Sequence, residues 1–264
     1  MTPPDNSEQL NSPAYRLAAL DEDFMLGDSM RGVRFLLEYA KAEEHLRKWG
    51  VRSTIVVFGS ARVSAEPPKA GDGKNHWYEH ARRFAAIASE RGGALHPKDG
   101  KRDNVIATGG GGGIMEAANR GAWEVGAPSI GFNIRLPHEQ EPNPYMTPDL
   151  TFNFHYFAMR KMHLAMRANG LVVFPGGFGT MDELFEILTL NQTGKVTHLP
   201  IVLFGREYWK RLIDFDVFVE EGTISPEDLE LFAFADDPED AWETLVRLGL
   251  VEHTPECDRP KLTR

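Results

Sequence analysis

The chain has a single cysteine, Cys257, in 264 residues. No disulfide can close within it, and this thiol usage fits a reducing, cytoplasmic setting. No apolar run approaches the roughly 20 residues of a membrane-crossing helix, and the polar, proline-bearing Met1 to Pro13 is unlike a signal peptide. Basic stretches with interleaved aromatics are missing and the net charge is −10, so neither nucleic acid nor membrane is an expected partner. The nine histidines are scattered with no His-Glu-x-x-His pair, and no metal is expected. Neither Gly-x-Gly-x-x-Gly nor Gly-x-x-x-x-Gly-Lys-Ser/Thr occurs, which argues against a nicotinamide hydride carrier and a P-loop NTPase.

What the chain does have is glycine in two clusters, each between an apolar strand and a helix. Pro175-Gly176-Gly177-Phe178-Gly179-Thr180-Met181-Asp182-Glu183 follows the apolar Leu171 to Phe174. Glycines let backbone N–H groups approach an anion, and a helix starting near Thr180 adds the positive end of its dipole. The same residues also fit a capping box, a hydroxyl followed three residues later by Glu. Thr108-Gly109-Gly110-Gly111-Gly112-Gly113-Ile114-Met115-Glu116 repeats the strand–glycine–helix arrangement after Asn104 to Ala107. Two such junctions suggest one nucleotide site.

Periodicity predicts helices over Val33 to Trp49, Asn75 to Arg91, Gly113 to Val125, Phe157 to Ala168, Met181 to Gln192, Glu207 to Val219 and Asp237 to Leu248. Strands are predicted at Thr54 to Phe58, Asn104 to Ala107, Ser129 to Ile134, Leu150 to Phe154, Leu171 to Phe174 and Pro200 to Phe204. This alternation specifies an α/β protein, a Rossmann-like, doubly wound parallel sheet with helices on both faces and ligands at the strands' carboxyl ends. The expected organisation is a disordered or extended segment over 1–30, one nucleotide-binding domain over 31–250 and a loose tail over 251–264.

The pattern Pro-Gly-Gly-x-Gly-Thr-x-x-Glu of residues 175–183, preceded by Arg160-Lys161, resembles the LOG ("lonely guy") family. These are nucleotide 5'-monophosphate phosphoribohydrolases that often carry an old lysine decarboxylase label. The likeness covers roughly residues 50 to 220 and includes Thr108 to Ala122, Ser129 to Pro144 and Leu188 to Lys195. Asn133-Ile134-x-Leu136-Pro137-x-Glu139-Gln140 and Asn143-Pro144-Tyr145 are similar to the longer-chain subgroup.

The resemblance implies cleavage of the N-glycosidic bond of a nucleoside 5'-monophosphate, AMP or a cytokinin riboside 5'-monophosphate, with no cofactor. It implies Arg160 and Glu183 as catalytic residues. Gly176, Gly177, Gly179 and Thr180 match the phosphate loop, and Gly110, Gly111 and Gly113 the first turn, where longer members usually have Pro in place of Gly112. Ser60, Met159 and Lys161 complete the expected substrate-binding set, with Met115 beside Met159 as a candidate for the base pocket because a thioether adapts to flat rings, and a homodimer or higher homo-oligomer is implied.

Chemistry supports these roles independently: a carboxylate near the anomeric carbon stabilises the cationic sugar and orients water, and a guanidinium forks onto phosphate or ribose oxygens. Plainer readings stand beside them. Ser60 fits a turn cap, Arg160-Lys161 a solvated basic turn, Met115 and Met159 core packing, and Glu116 a dipole partner. Two other functions share the pattern: a non-catalytic carrier of a phosphorylated cofactor such as a molybdopterin, and pyridoxal-phosphate decarboxylation of lysine. Nothing in the sequence marks a Schiff-base lysine with its pyridinium partner.

Overall fold

The computed structural model describes residues 5–65, 76–135, 141–196 and 199–251. Cys257, the tail from residue 252, and Leu136, Pro137, Glu139 and Gln140 lie outside them. The chain forms two compact units, Met1–Lys41 and Ala42–Arg264.

In the first unit, part of the segment expected to be disordered or extended carries short helical turns, including α1 (Ser7–Asn11) and α2 (Glu22–Leu26). Asp21 caps α2 by accepting from the Phe24 N–H at 3.2 Å, a common use of Asp at a helix start. Arg34, on helix α3 (Arg31–Lys48), donates to the carbonyls of Met25 and Gly27 at 2.8 and 2.7 Å, satisfying acceptors at the end of α2.

The second unit is built on seven parallel strands: β1 (Thr54–Phe58), β2 (Val105–Thr108), β3 (Ser129–Ile134), β4 (Thr151–Phe154), β5 (Ala168–Val173), β6 (Ile201–Phe204) and β7 (Ala233–Ala235). Their order, β4-β3-β2-β1-β5-β6-β7, reverses direction between β1 and β5, which puts a ligand crevice at the carboxyl ends of those two strands. The interleaved helices are α4 (His76–Arg91), α5 (Ile114–Glu124), α6 (Phe157–Met166), α7 (Phe178–Gln192), α8 (Arg206–Leu212), α9 (Phe215–Glu220) and α10 (Pro238–Arg247). Every residue of β1, β2 and β6 is buried, the continuous apolar run expected of a parallel strand covered on both faces. Each fully buried Val, Ile or Leu in this layer contributes about 1.5–3 kcal/mol, and Phe174 and Phe204 stack across it with centroids 4.4 Å apart.

Two elements differ from the periodicity. The helix expected over Glu207 to Val219 is divided, because Ile213 is extended (φ −134°, ψ 123°) and Asp214 starts a new helix. A β-branched residue followed by Asp favours this break, since Asp prefers helix starts to helix interiors. Strand β7 was not anticipated: at three residues it is too short to show alternation.

At the amino ends of the central strands, Arg167 lies between Glu43 and the backbone. It donates to Glu43 Oε2 at 2.7 Å and to the Val51 carbonyl at 3.3 Å, while its own carbonyl accepts from the Thr54 N–H at 2.7 Å. Arg47 donates to Glu43 Oε1 at 2.6 Å. The buried Glu43–Arg167 pair joins the end of α3 to the amino ends of the central strands, opposite the glycine turns.

Candidate active site

The turns after β1, β2 and β5 meet at Ser60. Its N–H donates to the Pro175 carbonyl at 3.0 Å, and its carbonyl accepts from the Ile114 N–H at 3.1 Å. Its hydroxyl accepts from the Arg62 N–H at 3.1 Å, as a turn cap does. Ser60 thus ties both glycine clusters together through its backbone.

A buried amide network holds the first cluster. Thr108 Oγ1 accepts from the Gly110 N–H at 2.9 Å and donates to Asn119 Oδ1 at 2.7 Å. Asn119 Nδ2 continues to Ser129 Oγ, and Asn143 Nδ2 donates to both the Gly111 carbonyl and Asn119 Oδ1, each at 3.0 Å. Gly110 has φ +73°, and a Cβ there would fall 2.0 Å from Asn133 Oδ1, so glycine is required. Gly113 precedes α5 as its N-cap. Asn119 carries no residue-level signature in sequence, and Asn143, although part of the Asn143-Pro144-Tyr145 likeness, meets it only because the fold brings both under the turn.

In the second cluster α7 begins at Phe178 with Gly177 as N-cap and no side-chain capping bond. Thr180 therefore lies inside the first turn, and the capping-box expectation is corrected. Its buried hydroxyl packs on Gly176, where a Cβ would come within 2.1 Å of Oγ1. Gly177, Phe178 and Gly179 are exposed, leaving bare backbone at the positive end of a 15-residue helix. Tyr208, on α8, donates its hydroxyl to the Gly176 carbonyl at 2.6 Å, and no pattern near Pro175 announces it.

Arg160, on α6, bridges the two clusters. Nη2 donates to Glu183 Oε1 at 2.7 Å, and Nη1 lies 3.9 Å from where a Cβ on Gly109 would stand. Its guanidinium sits 5.1 Å over the Phe157 ring. Its Nε is buried without a hydrogen-bond partner among the described residues. A buried, charged donor left unmatched is costly and points to a missing acceptor.

Glu183 is 5% exposed and borders a cavity of about 10 Å³, whose walls include Val56, Phe58, Leu164, Leu171 and Ile187. Burial pushes its carboxyl above the ordinary glutamate range. Arg160 and Lys161 oppose that push, whereas Glu186 and Asp182 add to it.

Other expected residues take different places. Lys161 is ion-paired with Asp182 and Glu186 on α7. Burial favours its neutral form, but the two carboxylates prevail and raise its pKa. Met159 packs against the core, and it is Met115 Sδ that stands over Gly109. Glu116 accepts from Tyr78 Oη at 2.8 Å; burial first, and this carboxylate second, push the Tyr78 phenol up to about 12. His163 is buried against the rings of Phe132 and Phe154. His76 and His80, four residues apart on α4, stack at 6.1 Å, but no group of three or more His, Cys, Asp or Glu that could hold a metal forms among the described residues. No described helix is long and apolar enough to cross a membrane.

Comparison with known proteins bears on this site. A family model described as "Possible lysine decarboxylase" matches residues 115–245, which include Arg160 and Glu183. The chain is 29% identical to the probable cytokinin riboside 5'-monophosphate phosphoribohydrolase LOG4 of Oryza sativa subsp. japonica, over 62% of this chain and 69% of that protein. It is 36% identical to the cytokinin riboside 5'-monophosphate phosphoribohydrolase LOG7 of Arabidopsis thaliana, over 38% of this chain and 44%, less than half, of that protein. Among solved structures, it is similar to the molybdenum cofactor binding protein of Rippkaea orientalis, with a TM-score of 0.48 and 16% identity over 75% of this chain and 98% of that one. With a family model matched over just under half of the chain and LOG relatives at modest identity, the chain is similar to the LOG family.

Proposed function

We propose that the protein hydrolyses the N-glycosidic bond of a nucleoside 5'-monophosphate, AMP or a cytokinin riboside 5'-monophosphate, to free base and ribose 5-phosphate. The observation that carries this reading is Arg160, paired with Glu183 while its buried Nε has no partner. The phosphate would rest on the bare backbone of Gly177 to Gly179 at the start of α7, where N–H groups and the helix dipole favour an anion. Arg160 would take ribose or phosphate oxygens and convert binding energy into orientation. Glu183 in its ionised form would then face C1', stabilising positive charge as the C–N bond lengthens and orienting the water that adds there. The bond's electron pair leaves with the base, which takes up a proton, and the water's oxygen ends on C1'.

The test is a panel of nucleoside monophosphates and matching nucleosides with free base quantified. Release from AMP but not adenosine is expected. Tight binding of a phosphorylated cofactor with no release from any nucleotide would replace the reading with that of a carrier. A homodimer or higher assembly in the cytoplasm belongs to the same proposal, and light scattering that shows a monomer at working concentration would remove the assembly.

A further inference from the structure

The ion bridges between α6 and α7 come as a consecutive pair. Arg160 meets Glu183, and the next residue, Lys161, spans Asp182 and Glu186 at 2.8 Å from each. Asp182 and Glu186 are one turn apart and share a side of α7, while Glu183 stands about 100° further round. Arg160 and Lys161 are offset by about the same angle on α6. Two adjacent cations gripping three carboxylates of α7 fix rotation and axial register together, which one bridge would leave free. The outer bridge reaches solvent, with the Asp182 side chain 60% exposed, whereas the Arg160 and Glu183 side chains are 15% and 7% exposed.

We propose that Lys161 is a positioning residue: clamped by Asp182 and Glu186, it holds Arg160 on Glu183 and neutralises the carboxylates flanking Glu183, without touching the nucleotide. The inference rests on the hydrolase reading for its kinetic consequences alone. The charged groups facing Glu183 are Arg160 and Lys161 from α6 and Asp182 and Glu186 from its own helix. The strand residues Val56, Phe58 and Leu171 near it are apolar. Without Lys161, two uncompensated negative charges oppose ionisation of Glu183. The direction of the Glu183 shift in the intact protein agrees, since Lys161 lowers it and the two neighbouring acids raise it.

The experiment compares wild type, Lys161→Met, Lys161→Arg and the double variant Asp182→Asn/Glu186→Gln across pH with AMP, alongside carboxyl-carbon NMR titration of Glu183 in the ligand-free proteins. Lys161→Met should hold KM within about twofold, lower kcat about tenfold near neutrality and move the acid limb up by about one pH unit. Lys161→Arg should restore the limb. The double variant should move it down, because the flanking negative charges are gone. A KM raised about tenfold in Lys161→Met with an unmoved limb would mark a ligand contact and overturn the proposal. So would an unmoved limb in the double variant, which decides the matter should Lys161→Met fail to fold. If wild type released no base while the Glu183 titration still moved as described, the hydrolase reading would fall and the clamp would stand.

Discussion

Replacing Glu183 with Gln is expected to abolish base release from AMP, by about 10³-fold or more, while the protein stays folded. The amide oxygen can still accept from Arg160, so the contact now made at 2.7 Å has a neutral equivalent and what disappears is the negative charge. Burial raises the Glu183 pKa above its unfolded value against the pull of Arg160 and Lys161. For a group shifted this way, the stability it contributes is present below the unfolded pKa and is lost as pH rises through the folded one. At neutral pH the ionised carboxylate is therefore a net cost to the fold, and Glu183→Gln should melt no lower than wild type. Activity follows the opposite sign: it needs the ionised form, so the acid limb of the wild-type kcat/KM profile should lie above the ordinary glutamate range. Arg160→Ala should also abolish release, but it leaves Glu183 buried without its nearest cation. Retained turnover in either variant, or a large drop in melting temperature for Glu183→Gln, would remove the assigned role.

The largest expected loss of stability lies at the amino ends of the central strands. Glu43→Ala should destabilise the protein by about 3–5 kcal/mol, because it leaves Arg167 buried without its carboxylate. That is a large share of the roughly 5–15 kcal/mol that holds a domain folded, and urea denaturation would read it as a lowered midpoint. Burial pushes the Glu43 carboxyl up, but Arg167 and Arg47 together hold it below the ordinary value. Its contribution is accordingly present above the unfolded pKa and disappears as pH falls through the folded one. The acid-unfolding curve of Glu43→Gln should then be flatter than that of wild type. Replacing Glu43 and Arg167 together by apolar residues of similar volume should recover much of the loss, as no buried charge is left alone. Additive losses in that double variant would show that packing, and not the ion pair, carries the effect.

The strands were legible because a strand covered on both faces reads as a short apolar run between turn residues. Ser129 to Ile134 was placed to the residue, and β2 only one position away from its expected bounds. The bare turns were legible because no other residue type lets backbone come so close to a ligand or a neighbouring strand. Less legible was how the helix after Gly177 starts, since Thr180-x-x-Glu183 has the composition of a cap and becomes first-turn packing only when Thr180 settles on Gly176. Tyr208 and the pairing of Asn143 with Asn119 were out of reach for a similar reason: a side chain donating to a distant partner imposes no spacing on the chain around it.

Hydrophobic periodicity and glycine act within a few residues, and so the order of strands and helices and the position of the two bare turns were written locally along the chain. Pairing acts across space. Arg160 and Glu183 are 23 residues apart, and Arg167 and Glu43 are 124 apart. Whether a cation meets a nucleotide, a catalytic acid or a structural carboxylate depends on how α6 lies against α7 and how α3 ends against the strands. Only packing gives Arg160 a buried donor to spare and gives Lys161 two carboxylates to hold.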